Sequence, residues 1–149
     1  TRRAFENPHM EGRFEAMNDP ANLKLETPWM GALSTARSLS RMYAAVVGEV
    51  DGIRLVSAES VEQIARRQSW SERDRIIQKP IGWSQGFVKE DPGVFGPNPR
   101  SFGHPGAGGA LGWADPDAQI AIGYTMNRMD WRVRSPRSVV LCDAVYASL

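Results

Sequence analysis

The 149-residue chain contains one cysteine, two histidines and three lysines. The single cysteine, Cys142, cannot form an internal disulfide, and it leaves too few thiolates for a structural zinc site. The two histidines, His9 and His104, exclude a three-histidine metal site. A mixed site would need both histidines and a carboxylate brought together across most of the sequence. We therefore expect no metal and no other cofactor.

The chain also lacks an excess of charge and a long apolar run. Eighteen basic residues against 17 acidic ones give a net charge of +1, which argues against a nucleic-acid partner or an anionic membrane. No run approaches the roughly 18 consecutive apolar residues of a membrane span, and no apolar segment typical of a signal peptide follows Thr1. With 42% hydrophobic and 23% charged residues, we expect one soluble globular domain, with the cytoplasm favoured as its compartment.

Residues 1–33 are rich in turn-forming residue types, which predicts an irregular lead-in. From Ser34 onward, apolar side chains recur at helical spacing, so we predict an α-helix whose start is capped by Ser34 or Thr35. The residues assigned to its inner face are Leu39, Met42, Tyr43, Val46, Val47 and Val50.

A turn at Asp51-Gly52 separates this helix from a second one. Ser57 is placed to cap the second helix, whose inner face would be Val61, Ile64 and Ala65.

The second half of the chain has the residue pattern of strands and one closing helix. Ile81–Val88 is strand-like, and the Pro- and Gly-rich segment Asp91–Pro99 predicts a loop. Two further strands are expected within 101–109 and 119–127, joined by a turn at 114–117. Pro136 can begin a last helix, with Val139, Cys142, Val145 or Tyr146, and Leu149 along one side. The expected fold class is α+β, an antiparallel sheet flanked by helices.

Residues 102–116, with the sequence FGHPGAGGALGWADP, continue into a strand that includes IGYTMNRM at 122–129. Together they resemble the third motif and following strand of the penicillin-recognising serine hydrolases, above all class C β-lactamases and the related esterases. Two more segments, 31–45 and 51–61, are similar to family segments in the same order. The resemblance runs from about residue 20 to the C-terminus and implies the C-terminal portion of a β-lactamase/transpeptidase-like fold.

The resemblance also implies roles for the motif residues. His104 takes the position of the family's lysine, Pro105 that of its threonine and Gly106 that of its glycine, while the backbone N–H of Ala107 would be one donor to the oxyanion. Pro105 has no hydroxyl to bind a substrate carboxylate, and His104 has no fixed positive charge, so a neutral ester is favoured over an anionic β-lactam. The alternative is a glycine-rich hairpin with a surface histidine.

Several other residues are open to two interpretations. Trp83, Trp113 and Tyr124 could line a substrate cleft, although aromatic residues in strands usually pack in a core. Asn127 and Arg128 could face the substrate or could be a solvated strand end. Cys142 could be a thiol nucleophile acting with His104, but its apolar helix face favours a buried cysteine.

The family's nucleophile motif, Ser-x-x-Lys, does not occur in this sequence. The residues three positions before the lysines are Ala21, Ile76 and Gly86, and no tyrosine begins the second motif, Tyr-x-Asn. We therefore expect residues 1–149 to be a C-terminal fragment that is inactive alone.

Two functions are consistent with these observations. One is a part of an ester or β-lactam hydrolase that works through an acyl-serine, and the other is an inactive remnant serving as a binding or assembly module. In either case we expect a complementary N-terminal fragment or self-association to cover an apolar interface, which includes Leu39, Met42, Val46 and Val139.

Overall fold

The computed structural model describes residues 18–28, 31–89 and 94–149. His9, considered above as a metal ligand, and most of the 1–33 lead-in lie outside these ranges. The described helices are α1 (Ala36–Val47), α2 (Ala58–Ile64) and α3 (Pro136–Tyr146), with short 3₁₀ turns at Asn22–Lys24 and Ala107–Gly109. The strands are β1 (Ser69–Ser71), β2 (Ile81–Trp83), β3 (Phe102–Pro105), β4 (Leu111–Asp115) and β5 (Ile120–Tyr124).

Helix α1 begins where the sequence predicts. Thr35, and not Ser34, caps it, because the Thr35 side chain accepts a hydrogen bond from Ser38 N. The inner face is narrower than predicted, since Met42 is 46% exposed and Val50 lies beyond the last turn, in a bridge with Ile53. The remaining predicted residues pack as expected: Tyr43 and Val46 are buried, and Leu39 and Val47 lie against them.

Helix α2 follows the predicted pattern closely. Asp51 and Gly52 both have positive φ, 51° and 76°, and form the turn between Val50 and Ile53. Ser57 caps α2 by accepting from Ser60 N. Its predicted inner face, Val61, Ile64 and Ala65, is buried. These local predictions are confirmed.

The main sheet has the antiparallel order β3-β4-β5. The predicted hairpin between segments 101–109 and 119–127 is wrong, because β4 lies between β3 and β5 and pairs with both. The chain reverses at Gly108 and Gly109, whose φ values of 88° and 105° suit glycine, and it reverses again after Asp115. The second turn occupies residues 116–119, slightly later than predicted.

A second hairpin precedes this sheet. Strand β1 is not among the predicted elements, and it pairs antiparallel with β2. Strand β2 ends at Trp83, so the predicted strand Ile81–Val88 is interrupted. Val88 bridges Trp83 on one side and Gly103 on the other, which joins the hairpin to β3. The predicted loop Asp91–Pro99 is irregular from residue 94 onward, and residues 90–93 lie outside the described part.

Helices cover both faces of the main sheet. Residues of α1 and α2 pack with Phe102 and Ala114 on one face, and Cys142 and Val139 of α3 pack with Leu111 and Trp113 on the other. This arrangement confirms the predicted α+β class.

The expected apolar interface is wrong for three of its four named residues, because these are covered within the chain. Val46 is buried, and Leu39 and Val139 pack against the two cores, which leaves Met42 as the exposed member of the four named residues. They are covered because the helices on both faces of the sheet, α1 and α2 on one side and α3 on the other, belong to this chain. No helix in the described ranges is both long and apolar enough to cross a membrane.

Candidate active site at the glycine-rich turn

His104 lies near the end of β3, opposite Gly112 of β4. Its side chain is exposed, and its Nδ1 lies 3.1 Å from the carbonyl oxygen of Pro105. The ring of Trp83 lies beside the imidazole, with ring centroids 5.8 Å apart and planes inclined at 51°. On the side of α1, the ring of Tyr43 lies over Gly112, the residue that pairs with His104 across the two strands. The structure therefore places the motif histidine between an open surface and an indole ring.

The surroundings of His104 lower its pKa from the ordinary value of 6.5. Desolvation is the larger cause, and the carbonyl of Pro105 acts in the opposite direction. A lowered pKa means that the imidazole is mostly neutral at neutral pH. The charge that a lysine would carry at this position is therefore absent under ordinary conditions.

Two backbone N–H groups of the turn after β3 are hydrogen-bonded within the turn. The N–H of Gly106 donates to Ala110 O at 2.7 Å, and the N–H of Gly109 donates to Gly106 O at 3.2 Å. Ala107 lies between them on the surface. Within the described part of the chain, no group accepts a hydrogen bond from the Ala107 N–H. Such a donor, held by a closed turn, can bind an anionic oxygen atom of a ligand.

The segment that follows β5 folds back onto this turn. The N–H of Asp130 donates to Gly108 O at 2.7 Å, and the Met129 side chain lies over Gly108. Ser135, which caps α3, donates from Oγ to Asp130 Oδ2 at 2.7 Å. Met129 was not among the sequence candidates, and no local pattern could reveal it, because its contact with Gly108 spans strands β4 and β5.

The predicted substrate contacts fall in different environments. Asn127 and Arg128 are exposed in the same segment as Met129, and the Arg128 carbonyl accepts from Arg137 at 2.8 Å. Trp113 is 2% exposed and packs against Phe95, so its side chain belongs to the core.

The other two aromatic candidates, Tyr124 and Trp83, lie in different environments. Tyr124 is half-buried against the same core as Trp113, whereas Trp83 is 38% exposed beside His104. Of the three aromatic residues, the fold brings Trp83 to the motif.

Cys142 is fully buried in the α3 core, and burial raises the pKa of its thiol to about 11. The thiol is therefore protonated at neutral pH, which agrees with a core cysteine and not with a nucleophile. Among the described residues, no group of three His, Cys, Asp or Glu side chains is placed to hold a metal ion.

Two buried side chains, Lys89 and Asp115, hold the loop that leads into β3. Lys89 Nζ donates to Ser101 O at 2.6 Å and also to Pro99 O. Asp115 Oδ2 accepts from Asn98 Nδ2 at 2.8 Å and from the Tyr146 hydroxyl at 2.7 Å. These bonds connect the loop before β3 to the end of β4 and to α3. The strand that carries His104 is thus fixed at its start.

Comparison with known proteins gives one consistent set of relatives. The family model described as Beta-lactamase matches residues 2–141. The chain is 34% identical over 128 residues to the esterase/β-lactamase LipL of Mycobacterium tuberculosis, a match that covers 84% of this chain and 29% of that protein.

Solved structures show the same relationship. A family VIII carboxylesterase matches with a TM-score of 0.71 and 35% identity, and a penicillin-binding protein homologue from Caulobacter crescentus matches with a TM-score of 0.72 and 33% identity. Each match covers 78% of this chain and 32% of the other chain. The chain therefore spans about a third or less of the length of these relatives.

Proposed function

This chain belongs to the β-lactamase family, and on that premise we propose that it forms the part of an ester hydrolase that carries the third motif and one oxyanion donor. The fold and the family are those that the sequence predicts, since the solved relatives share the β-lactamase/transpeptidase-like fold. The activity, the substrate and the residue roles are the proposal.

The observation that carries the proposal is the Ala107 N–H, a donor without an acceptor among the described residues, in the turn that follows His104. In the proposed reaction, a serine Oγ attacks the ester carbonyl carbon and passes its proton to a lysine amine. The carbonyl oxygen becomes an oxyanion, to which Ala107 donates. The carbon–oxygen bond to the alcohol then breaks, and the alcohol leaves with a proton. Water finally hydrolyses the acyl-serine.

The serine and lysine of this reaction would belong to a Ser-x-x-Lys segment, which this sequence does not contain. We propose that a complementary N-terminal part supplies the segment. Residues 1–149 then contribute His104, Gly106 and Ala107 to the reacting centre, and Asn127 and Arg128 to the substrate wall. Pro105 and Trp113, which the sequence also suggested as substrate contacts, have no place in this wall, because both are buried.

Esters are favoured over β-lactams by the chemistry of two motif residues. Pro105 offers no hydroxyl to a substrate carboxylate, and the lowered pKa of His104 leaves the imidazole largely uncharged at neutral pH. A site with neither a hydroxyl nor a fixed cation at these positions gains little from an anionic substrate. A small carboxylic ester without charge fits the motif better.

A second candidate function is an inactive remnant that acts as a binding or assembly module. The missing Ser-x-x-Lys favours it, because an oxyanion donor without a nucleophile retains only part of the catalytic apparatus. An activity measurement on a chimera separates the two functions.

In the chimera, this chain replaces the matched region of the Mycobacterium tuberculosis relative. We expect the chimera to hydrolyse p-nitrophenyl butyrate and the 149-residue chain alone to show only the buffer rate. His104→Ala in the chimera should lower turnover without loss of fold. A folded chimera without activity would favour the inactive module. Burst kinetics of the isolated chain that survive Cys142→Ser would contradict the need for an outside nucleophile.

A further inference from the structure

Trp83 is held beside His104 by backbone pairing. It is the last residue of β2, where it pairs with Ser69 of β1, and its carbonyl accepts from Gln68 N at 2.8 Å. On its other side it is bridged to Val88, which is fully buried and is itself bonded to Gly103, the residue before His104. The backbone on both sides of Trp83 therefore fixes its position relative to the motif strand.

The other side of the imidazole contacts a carbonyl group. Because the oxygen of Pro105 can only accept, the 3.1 Å contact with His104 Nδ1 is a hydrogen bond when Nδ1 carries the proton. In the neutral ring, Nε2 then has the free lone pair. The carbonyl selects the tautomer, but one such bond leaves the ring free to tilt about it. A bulky neighbour is needed to fix the plane of the ring.

We propose that Trp83 is a positioning residue for His104, whose indole fixes the plane of the imidazole and keeps water from one side of it. The inference rests on the proposed function, in which His104 faces the substrate. With Trp83 in place, His104 presents a neutral imidazole with a free Nε2 lone pair. Trp83 is exposed enough to form the adjoining part of the cleft wall for an uncharged substrate.

An indole ring can shift the pKa of a neighbouring imidazole in two opposite directions. Exclusion of water disfavours the imidazolium, whereas a cation above the ring face is stabilised by it. Here the ring planes are inclined at 51°, and the pKa of His104 is lowered, with desolvation as the leading cause and no charged side chain among its causes. Tyr43, the titratable group packed over Gly112, stays uncharged because burial raises its pKa to about 12. This direction is the one expected of water exclusion and is opposite to the one expected of a cation held over the ring face.

Proton NMR titration of the histidine ring signals tests this inference directly. The sequence has only two histidines, so His9→Gln leaves His104 as the single titrating imidazole. In that background we expect Trp83→Ala to raise the pKa of His104 toward 6.5 and to remove the ring-current shift of its signals. Trp83→Leu keeps apolar bulk without the aromatic ring, so it should lose the ring-current shift but retain most of the lowered pKa.

Trp131→Leu is the matched control. Trp131 is 85% exposed and packs with Arg132 instead of His104, so its replacement should change neither quantity. Nitrogen-15 shifts of the imidazole report the tautomer, which we expect to be the Nδ1–H form both in the wild type and in Trp83→Ala, because the Pro105 carbonyl selects it.

An unchanged pKa and unchanged ring shifts in Trp83→Ala would overturn the inference, as would a fall in the pKa, which would mean that the indole stabilises the imidazolium. These measurements do not involve turnover. A positive NMR result combined with full activity of His104→Ala in the chimera would reject the proposed function while leaving the positioning role intact.

Discussion

The Ala107 N–H can be removed with little disturbance to the turn around it. Proline lacks this donor, and the residue before a proline favours an extended backbone, which Gly106 already has at φ −85° and ψ 159°. We expect Ala107→Pro in the chimera to lower kcat for ester hydrolysis by about 10²- to 10³-fold, the usual cost of one lost oxyanion donor. The measurement is steady-state hydrolysis of p-nitrophenyl butyrate.

Ala107→Ser is the control for this substitution, because it changes the side chain and keeps the N–H. It should retain most of the wild-type rate, and thermal denaturation should show both variants folded. Equal rates for Ala107→Pro and Ala107→Ser would remove Ala107 from the oxyanion site.

Lys89 is a buried cation whose titration can be measured through stability. It is 3% exposed, and burial, with a further contribution from Arg67, lowers its pKa from 10.5 to about 8. Between pH 8 and pH 10.5 the unfolded chain holds a proton on Lys89 that the folded chain has released. The Lys89 contribution to the free energy of unfolding therefore rises with pH across this window.

Urea denaturation of the wild type and Lys89→Met at several pH values isolates this contribution. Cys142 also titrates in alkali, but it is present in both proteins, so its effect cancels in the difference. We expect the stability of the wild type relative to Lys89→Met to increase from pH 8 to pH 10.5. A difference that stays constant with pH would mean that Lys89 titrates alike in the folded and unfolded chains.

At the scale of the elements, α1 approaches the sheet closely because two strand positions have no side chain. A Cβ at Gly123 would collide with the carbonyl oxygen of Ala36 and lie 2.7 Å from Ser40 N, and both atoms belong to the helix backbone. Gly112 provides the corresponding space for the ring of Tyr43. The helix therefore packs directly on the backbone of β4 and β5.

We expect Gly123→Ala to lower the free energy of unfolding by about 1–3 kcal/mol or more, because a helix backbone cannot yield as a side chain can. Gly48→Ala is the control, since its Cβ would lie 3.6 Å from Ala44 O, an ordinary contact distance. Thermal and urea denaturation of both variants measure the effect. Equal stability would show that α1 can move away from the sheet at little cost.

At the scale of the whole molecule, helices cover both faces of the main sheet, while its β5 edge has no partner strand among the described residues. Among the described strands, β5 is hydrogen-bonded to β4 alone. Gly103 bonds outward to Val88, so by the alternation of antiparallel ladders Ile122 bonds inward to β4, while Ala121 and Gly123 direct their backbone groups to the open edge. An open edge of this kind can pair with another strand.

We therefore predict that the chain self-associates through β5 or pairs there with a complementary N-terminal part. Light scattering should show a mass that increases with concentration. Amide exchange should be fast at Ala121 and Gly123 in dilute solution and slower on association, with Ile122 protected throughout. A monomer at every concentration, with unchanged exchange at both residues, would contradict pairing at this edge.

Features set by neighbouring residues could be predicted from the sequence, because their physical causes lie within a few residues. Thr35 and Ser57 cap their helices through the N–H groups three residues ahead, and Asp51-Gly52 turns the chain through its own positive φ angles. The ordered motif segments also identified the family and the fold class correctly. The third motif residues, His104 to Ala107, could be proposed as a site for the same reason, since they are contiguous.

Only the tertiary structure decided which side chains face one another. Strand β1 has no sequence signal of its own and exists because β2 lies beside it, and β4 became a separate strand because the chain reverses at Gly108 and Gly109. The burial of Trp113 and the exposure of Trp83 depend on where α3 and the β1–β2 hairpin pack, and each contact joins distant parts of the chain. The sequence thus determined the motif and the local elements, while packing across the sheet determined the surroundings of His104.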